Sequence, residues 1–213
     1  MRAVIWDIDG TLVDSEPLHL RALLHVCDQY GADISELPSD HFVGVNVQHV
    51  WRALEDRFPE TLSFEKWLAE LNAYYSAHAH ELQPIAHAVE TVRRLDEMGI
   101  LQGAASNSNR LVVDANLRAL GLSDILSLSV SLDDVVRGKP DPEPYLRAML
   151  KMRVLPSATF AVEDSATGAE SARRAGMHVV ALGADLPQAD HVIENLAALP
   201  DLVSTAEQRV LVT

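Results

Sequence analysis

The stretch Ala3-Val4-Ile5-Trp6-Asp7-Ile8-Asp9-Gly10-Thr11-Leu12-Val13-Asp14-Ser15 decides how this chain is read. Four apolar residues in succession fit a short strand buried on both faces. The run stops at Asp7, and Gly10 gives the backbone freedom to turn. Asp7 and Asp9 would share a face in a regular strand, whereas a turn after Asp7 would let them approach a ligand from different directions. From Ser15 to about Gln83 the pattern becomes helical, with no convincing strand. Ser15-Glu16-Pro17 reads as an N-cap followed by a first-turn proline. Leu20, Leu24 and Cys27 fall on one helical face that Gly31 terminates. Trp51, Leu54 and Phe58, then Trp67, Leu68, Leu71 and Tyr75, keep the helical spacing, and packing between helices accounts for these aromatics.

Around Pro84 the pattern changes again. Val89, Val92 and Leu95 space as a helix ending at Gly99, before the apolar run Ile100 to Ala105. A helix through Val113, Leu117 and Leu120 ends at Gly121, and a mixed strand from Ile125 to Leu132 follows. Tyr145, Leu146, Met149 and Leu150 mark the next helix, then the strand Thr159 to Val162. The segment Ala166 to Ala175 stops at Gly176 and feeds the strand His178 to Leu182. Repeated β-α-β units with short loops predict an α/β, Rossmann-like, doubly wound parallel sheet. The expected organisation is an α/β core of residues 1–14 and 84–213, with an α-helical insertion at 15–83.

Composition narrows the function. In 213 residues, 17 Lys and Arg face 31 Asp and Glu, a formal charge of −14 that argues against nucleic-acid or anionic-membrane partners. Hydrophobic residues make up 48% and charged residues 23%, an ordinary globular balance. The opening residues reach Asp7 too soon for a signal-peptide apolar region. The single Cys27 excludes an internal disulfide and fits a reducing cytoplasm. Nothing in the sequence demands more than a monomer.

In an open parallel sheet, ligands bind beyond the carboxyl ends of the strands. Those ends carry Asp7 and Asp9, then Ser106-Asn107-Ser108, then Glu163-Asp164-Ser165, while Lys139 lies in the loop before the helix that leads to the last of them. If they converge, the carboxylates need a counter-ion. Mg²⁺ is the natural one, since it prefers carboxylate and carbonyl oxygen together with substrate phosphate. One of the first two aspartates can attack phosphorus, and the other can protonate the departing oxygen and later take a proton from water. Ser106 offers a neutral donor to phosphate oxygen, Lys139 a compact positive charge. Asp164 completes the metal site opposite Asp7. Each of these residues alone has an ordinary role as a cap, turn or solvated charge; their ordered co-occurrence is what points to a site.

Asp7-Ile8-Asp9-Gly10-Thr11-Leu12-Val13-Asp14-Ser15 resembles the first signature of the haloacid dehalogenase superfamily of phosphatases and phosphomutases. Ser106, Lys139-Pro140 and Glu163-Asp164-Ser165 are similar to its three remaining signatures, in order, and the insertion sits where helical-cap members carry their cap. The resemblance implies Asp7 as nucleophile and Asp9 as general acid/base. It implies Mg²⁺ held by Asp7, the Asp9 main-chain carbonyl and Asp164, with Glu163 nearby or ligating. Gly10, Thr11 and Asn107 would touch substrate. Asp14-Ser15-Glu16-Pro17-Leu18-His19 is similar to the hinge and first cap helix of β-phosphoglucomutase-like members, which brings His19 into the substrate set. Gly44-Val45-Asn46 resembles the start of their specificity loop, which adds Asn46. Val47 stands where the mutases carry an arginine, and this favours a hydrolase over a mutase. The implied activity is hydrolysis of a small phosphorylated metabolite, with sugar phosphates favoured and a helical cap closing over the core. His78-Ala79-His80 implies no metal site, since i and i+2 diverge on a helix.

Overall fold

A computed structural model of the chain describes residues 2–205. They fall into two compact units, one running to Asp14 and resuming at Gln83, the other spanning Ser15–Leu82.

The larger unit is built on a six-stranded, wholly parallel sheet. Its strands are β1 (Ala3–Trp6), β4 (Leu101–Ala105), β5 (Ser129–Val130), β6 (Thr159–Glu163), β7 (His178–Leu182) and β8 (His191–Ile193), in the spatial order β5-β4-β1-β6-β7-β8. Every residue of β1 is buried, as its unbroken apolar sequence requires of a central parallel strand. Helices cover both faces. Ile5, Ala105, Ala161 and Val179 pack under α6 (Glu143–Met152) and α7 (Ala166–Arg174). On the opposite face the Trp6 indole donates to Gln102 Oε1 at 3.0 Å, and Gln102 Nε2 donates to the carbonyl of Val92 in α4 (Ala88–Glu97). That bridge satisfies the polar atoms which β1 and β4 bury there. From β1 the chain builds outward to β4 and β5, then returns to the other side of β1 with β6. The carboxyl ends of β1 and β6 therefore flank the point where strand order reverses, which is where doubly wound sheets place their ligands.

Several expectations need correction. The predicted strand Ile125 to Leu132 shrinks to Ser129–Val130. The Leu126 N–H is taken by the Leu122 carbonyl, and Ser131 opens a capped 3₁₀ turn with Asp134. Alternation alone cannot lengthen a strand whose ends are claimed by local turns. β8 and α8 (Leu199–Thr205) had no sequence signal strong enough to predict them. A two-stranded antiparallel ladder, β2 (Val13–Asp14) with β3 (Gln83–Pro84), was also unforeseen; it pairs the residues at which the chain leaves and re-enters this unit.

The helical unit contains α1 (Glu16–Tyr30), α2 (Val47–Leu54) and α3 (Phe64–His78). Trp51 stacks on Phe58 at 5.7 Å and tilts against Trp67 at 5.2 Å, inside a core with Val26, Leu54 and Leu62. The aromatics are packing residues. The buried face of α1, however, is Leu18, Ala22, Leu23, Val26 and Cys27. Leu24 stays 47% exposed, and Leu20 and Leu24 instead line a cavity of about 160 Å³ with Ile34, Leu37 and Phe42. Ser15 occupies the N-cap position of α1, yet its buried hydroxyl makes no capping bond. Among the described residues no helix is long and apolar enough to cross a membrane.

Candidate active site

Parallel pairing sets Trp6 level with Ala104 of β4 and with Val162 of β6. The next residues, Asp7, Ala105-Ser106 and Glu163-Asp164, consequently emerge along one edge of the sheet. Asp7 is fixed there by its N–H, which donates to the Val162 carbonyl at 3.0 Å. Lys139 arrives from the loop before α6 and is buried. Its Nζ donates to Asp7 Oδ1 at 2.5 Å and to Glu163 Oε1 at 2.6 Å, and lies 5.0 Å from the centre of the Tyr145 ring. The Tyr145 hydroxyl also donates to Glu163 Oε1, at 2.5 Å, and the Ser165 hydroxyl donates to Glu163 Oε2 at 3.2 Å. Glu163 is fully buried, and both its oxygens are engaged.

The long lever of Lys139 needs a fixed base, and Asn107 supplies it. The Lys139 N–H donates to Asn107 Oδ1 at 2.7 Å, and Asn107 Nδ2 donates back to the Lys139 carbonyl at 3.1 Å. A side chain at Gly138 would lie 2.5 Å from Asn107 Oδ1, so this close approach requires glycine. Asn107, expected to touch substrate, thus spends its amide on clamping the lysine. Thr11 and Gly10, expected in the same role, serve Asp164. The Thr11 hydroxyl donates to Asp164 Oδ1 at 2.9 Å, and Gly10, at φ +82°, leaves room where a Cβ would sit 2.2 Å from Asp164 Oδ2.

Asp9 turns elsewhere. Its Oδ2 accepts from the hydroxyls of Ser106 at 3.0 Å and Ser108 at 2.8 Å, and its Oδ1 accepts from Asn116 Nδ2 at 3.0 Å. The Ser108 N–H in turn donates to Ser106 Oγ at 2.9 Å. Asn116 belongs to α5 (Arg110–Ala119) and is fully buried. Sequence reasoning passed over Asn116, although it sits between Val113 and Leu120 on the helix's apolar stripe, where an amide is out of place. It also passed over Gly168 in α7, where a Cβ would lie 1.9 Å from Glu163 Oε2.

The remaining predicted residues, His19 and Asn46, belong to the helical unit. The His19 ring stacks on Tyr75 at 4.5 Å. Asn46 caps α2, accepting from the Gln48 N–H at 2.9 Å.

Asp7, Glu163 and Asp164 offer ligand oxygens that all lie within 4.8 Å of one another, forming the one such cluster among the described residues. Three carboxylates against one ammonium leave two negative charges in excess in a largely buried site. Burial pushes the Asp7 carboxyl well above the usual carboxylate range; Lys139 opposes this, while Glu163, Asp164 and Asp9 reinforce it. Burial and the neighbouring Glu163 likewise raise Asp164, against the bond from Thr11. For Lys139 burial works downward, but the two carboxylates outweigh it and hold the ammonium above its ordinary value. A divalent cation with a preference for hard oxygen donors fits this set in charge and in ligand type.

Comparison with known proteins gives a family described as haloacid dehalogenase-like hydrolase, matching residues 4–182. A phosphorylated carbohydrates phosphatase of Thermotoga maritima is 32% identical over 181 residues, covering 83% of this chain and 82% of the relative. Hexitol phosphatase B of Escherichia coli is 32% identical over 193 residues, covering 88% and 86%. Among solved structures, CbbY from Rhodobacter sphaeroides, crystallised with phosphate, superposes with a TM-score of 0.83 over 93% of this chain and 96% of its own; at 23% identity it shows the shared fold.

Proposed function

This chain belongs to the haloacid dehalogenase-like hydrolase family, and from that premise we propose that it is a Mg²⁺-dependent phosphomonoester hydrolase acting on a small phosphorylated metabolite. The observation that carries the proposal is the Asp7–Lys139–Glu163–Asp164 cluster at the carboxyl edge of the sheet. Asp7 and Asp164, with the Asp9 main-chain carbonyl, would hold the metal, and Glu163, whose oxygens accept from Lys139, Tyr145 and Ser165, would stand beside it. When bound, Mg²⁺ supplies positive charge that offsets the carboxylates and the incoming phosphate.

The protein's own residues divide the work. An Asp7 carboxylate oxygen attacks phosphorus, and the bond from phosphorus to the ester oxygen breaks as an aspartyl-phosphate forms. Asp9 delivers a proton to the departing alkoxide. It then takes one from water as the water oxygen attacks phosphorus, which releases inorganic phosphate and restores the Asp7 carboxylate. Ser106 and Lys139 donate to phosphoryl oxygens, with Lys139 held on target by the Asn107 clamp. Sugar phosphates are the favoured substrates, supported by the two relatives named for phosphorylated carbohydrates and hexitols. A cytoplasmic setting goes with this reading, supported by a lone, buried Cys27.

A screen of phosphorylated metabolites for phosphate release tests the proposal, with the Asp7→Asn protein as control. Release should be abolished by that substitution and by a chelator. Activity that survives either change, or net isomer formation without phosphate release, overturns it.

A further inference from the structure

Asp9 makes a second arrangement that the phosphate chemistry does not by itself explain. A carboxylate rotates about a soft, two-fold torsion, so a single bond does not fix its plane. Here both oxygens are tied, and from different elements: Ser106 and Ser108, beyond β4, hold Oδ2, and Asn116 of α5 holds Oδ1. Ser106, Ser108 and Asn116 are neutral donors that orient the group.

Asn116 is the telling member. It is fully buried on a helix whose other inward residues include Val112, Val113, Ala115 and Leu117. Leucine would pack there, propagate the helix better and carry no polar atoms to bury. An amide in that position is favourable only if a partner repays its desolvation, and the Asp9 carboxylate is such a partner. The helix supplies rigidity that the serine loop lacks. Ser106 is already assigned to the phosphoryl group, which leaves Asn116 and Ser108 to keep Asp9 in place when Ser106 turns to substrate.

We infer that Asn116 and Ser108 are positioning residues for Asp9, holding its carboxylate where it can protonate the leaving oxygen. The inference rests on the phosphohydrolase reading above, and it predicts a dependence on the leaving group that a merely structural role would not produce. A good leaving group such as p-nitrophenolate departs with little help from an acid, whereas a sugar or alkyl alkoxide needs the proton. General acid catalysis contributes roughly 10²–10⁴-fold, so imperfect placement of the acid should cost about 10- to 100-fold where the proton matters.

The experiment compares kcat/KM for p-nitrophenyl phosphate and for an alkyl or sugar phosphate, both with Mg²⁺, in the wild-type protein, Asn116→Leu and Ser108→Ala. Asn116→Leu should lose about 10- to 100-fold on the alkyl ester, carried by kcat with KM nearly unchanged, and less than about threefold on the aryl ester. Ser108→Ala, at a half-buried loop position, should move the same ratio in the same direction. Asn116→Gln, which keeps an amide, should recover part of the loss. Equal losses on both esters, or no loss on either, overturn the inference while leaving the hydrolase reading intact. If Asn116→Leu does not fold, an unchanged ratio in Ser108→Ala overturns it alone. A wild-type protein that releases phosphate from neither ester overturns the functional reading, and the inference falls with it.

Discussion

Replacing Gly168 by alanine sets two effects of opposite sign against each other, and the structure decides between them. Gly168 lies in the first turn of α7, with Ser165 as N-cap accepting its N–H at 3.1 Å. Helix propensity alone favours alanine there by about 0.5–1 kcal/mol. The added Cβ, however, would lie 1.9 Å from Glu163 Oε2, 2.0 Å from its Cδ and 2.1 Å from Oε1. The whole carboxyl group must therefore retreat by more than about 1 Å, beyond the tolerance of a short hydrogen bond. Glu163 accepts from Lys139, Tyr145 and Ser165. Bonds to a charged group contribute about 1.5–3 kcal/mol each. Losing two of them and regaining the propensity term leaves a net destabilisation of about 2–5.5 kcal/mol. Thermal unfolding followed by circular dichroism should show the midpoint falling by about 4–20 °C at this chain length. A midpoint unchanged, or raised by the few degrees that propensity predicts, would refute the claim that this glycine exists to admit Glu163.

Other expectations follow from the same contacts. Mg²⁺ should raise the thermal midpoint of the wild-type protein by relieving the carboxylate cluster, and Asp164→Asn should shrink that rise, as differential scanning fluorimetry with and without chelator would show. Asp134 gives a pH effect: burial alone would raise its pKa, but bonds from the Ser131 N–H and hydroxyl and from Arg110 bring it down to about 2. A depressed carboxylate stabilises the fold above its ordinary value of 3.8 and loses that contribution as pH falls toward about 2. Discounted for partial exposure, about 1–2 kcal/mol should disappear across that window in the wild-type protein and not in Asp134→Asn, measured by urea unfolding. Trp67→Ala should cost the helical unit about 3–5 kcal/mol, read from the same unfolding curves, because the ring is fully buried among Trp51, Phe58 and Phe64.

Apart from Lys139, the chemistry-bearing residues were legible because they follow strands of distinctive sequence. Ala3–Trp6 is continuously apolar and ends at Asp7, and the strands before Ser106 and Glu163-Asp164 are largely apolar and give way abruptly to polar residues. Parallel register then forces the three ends to one edge. The partners of those residues were not legible, since hydrogen bonds such as Asn107 to Lys139 and Thr11 to Asp164 join positions far apart in sequence. The residue types of Asn107 and Thr11 point toward substrate, while the bonds the structure adds show Asn107 anchoring Lys139 and Thr11 anchoring Asp164. The inward face of α1 was misread for a related reason. Leu20 and Leu24 are as apolar as Leu18 and Leu23, and only the arrangement of the surrounding helices selects which pair is covered.

The sequence by itself determined the α/β class, the alternation of strands and helices from Ala3 to Leu182 and the identities of the charged residues at the strand ends, though not β2, β3, β8 or α8, because local periodicity and abrupt polarity changes are carried by neighbouring residues. Tertiary structure alone decided that Asp9 faces Ser106, Ser108 and Asn116 while Asp7 faces Lys139. It also decided that Gly10, Gly138 and Gly168 are spaces for a carboxylate or an amide rather than simple turns. Those outcomes depend on which distant atoms are brought within hydrogen-bonding reach, and no property of a local stretch encodes that distance.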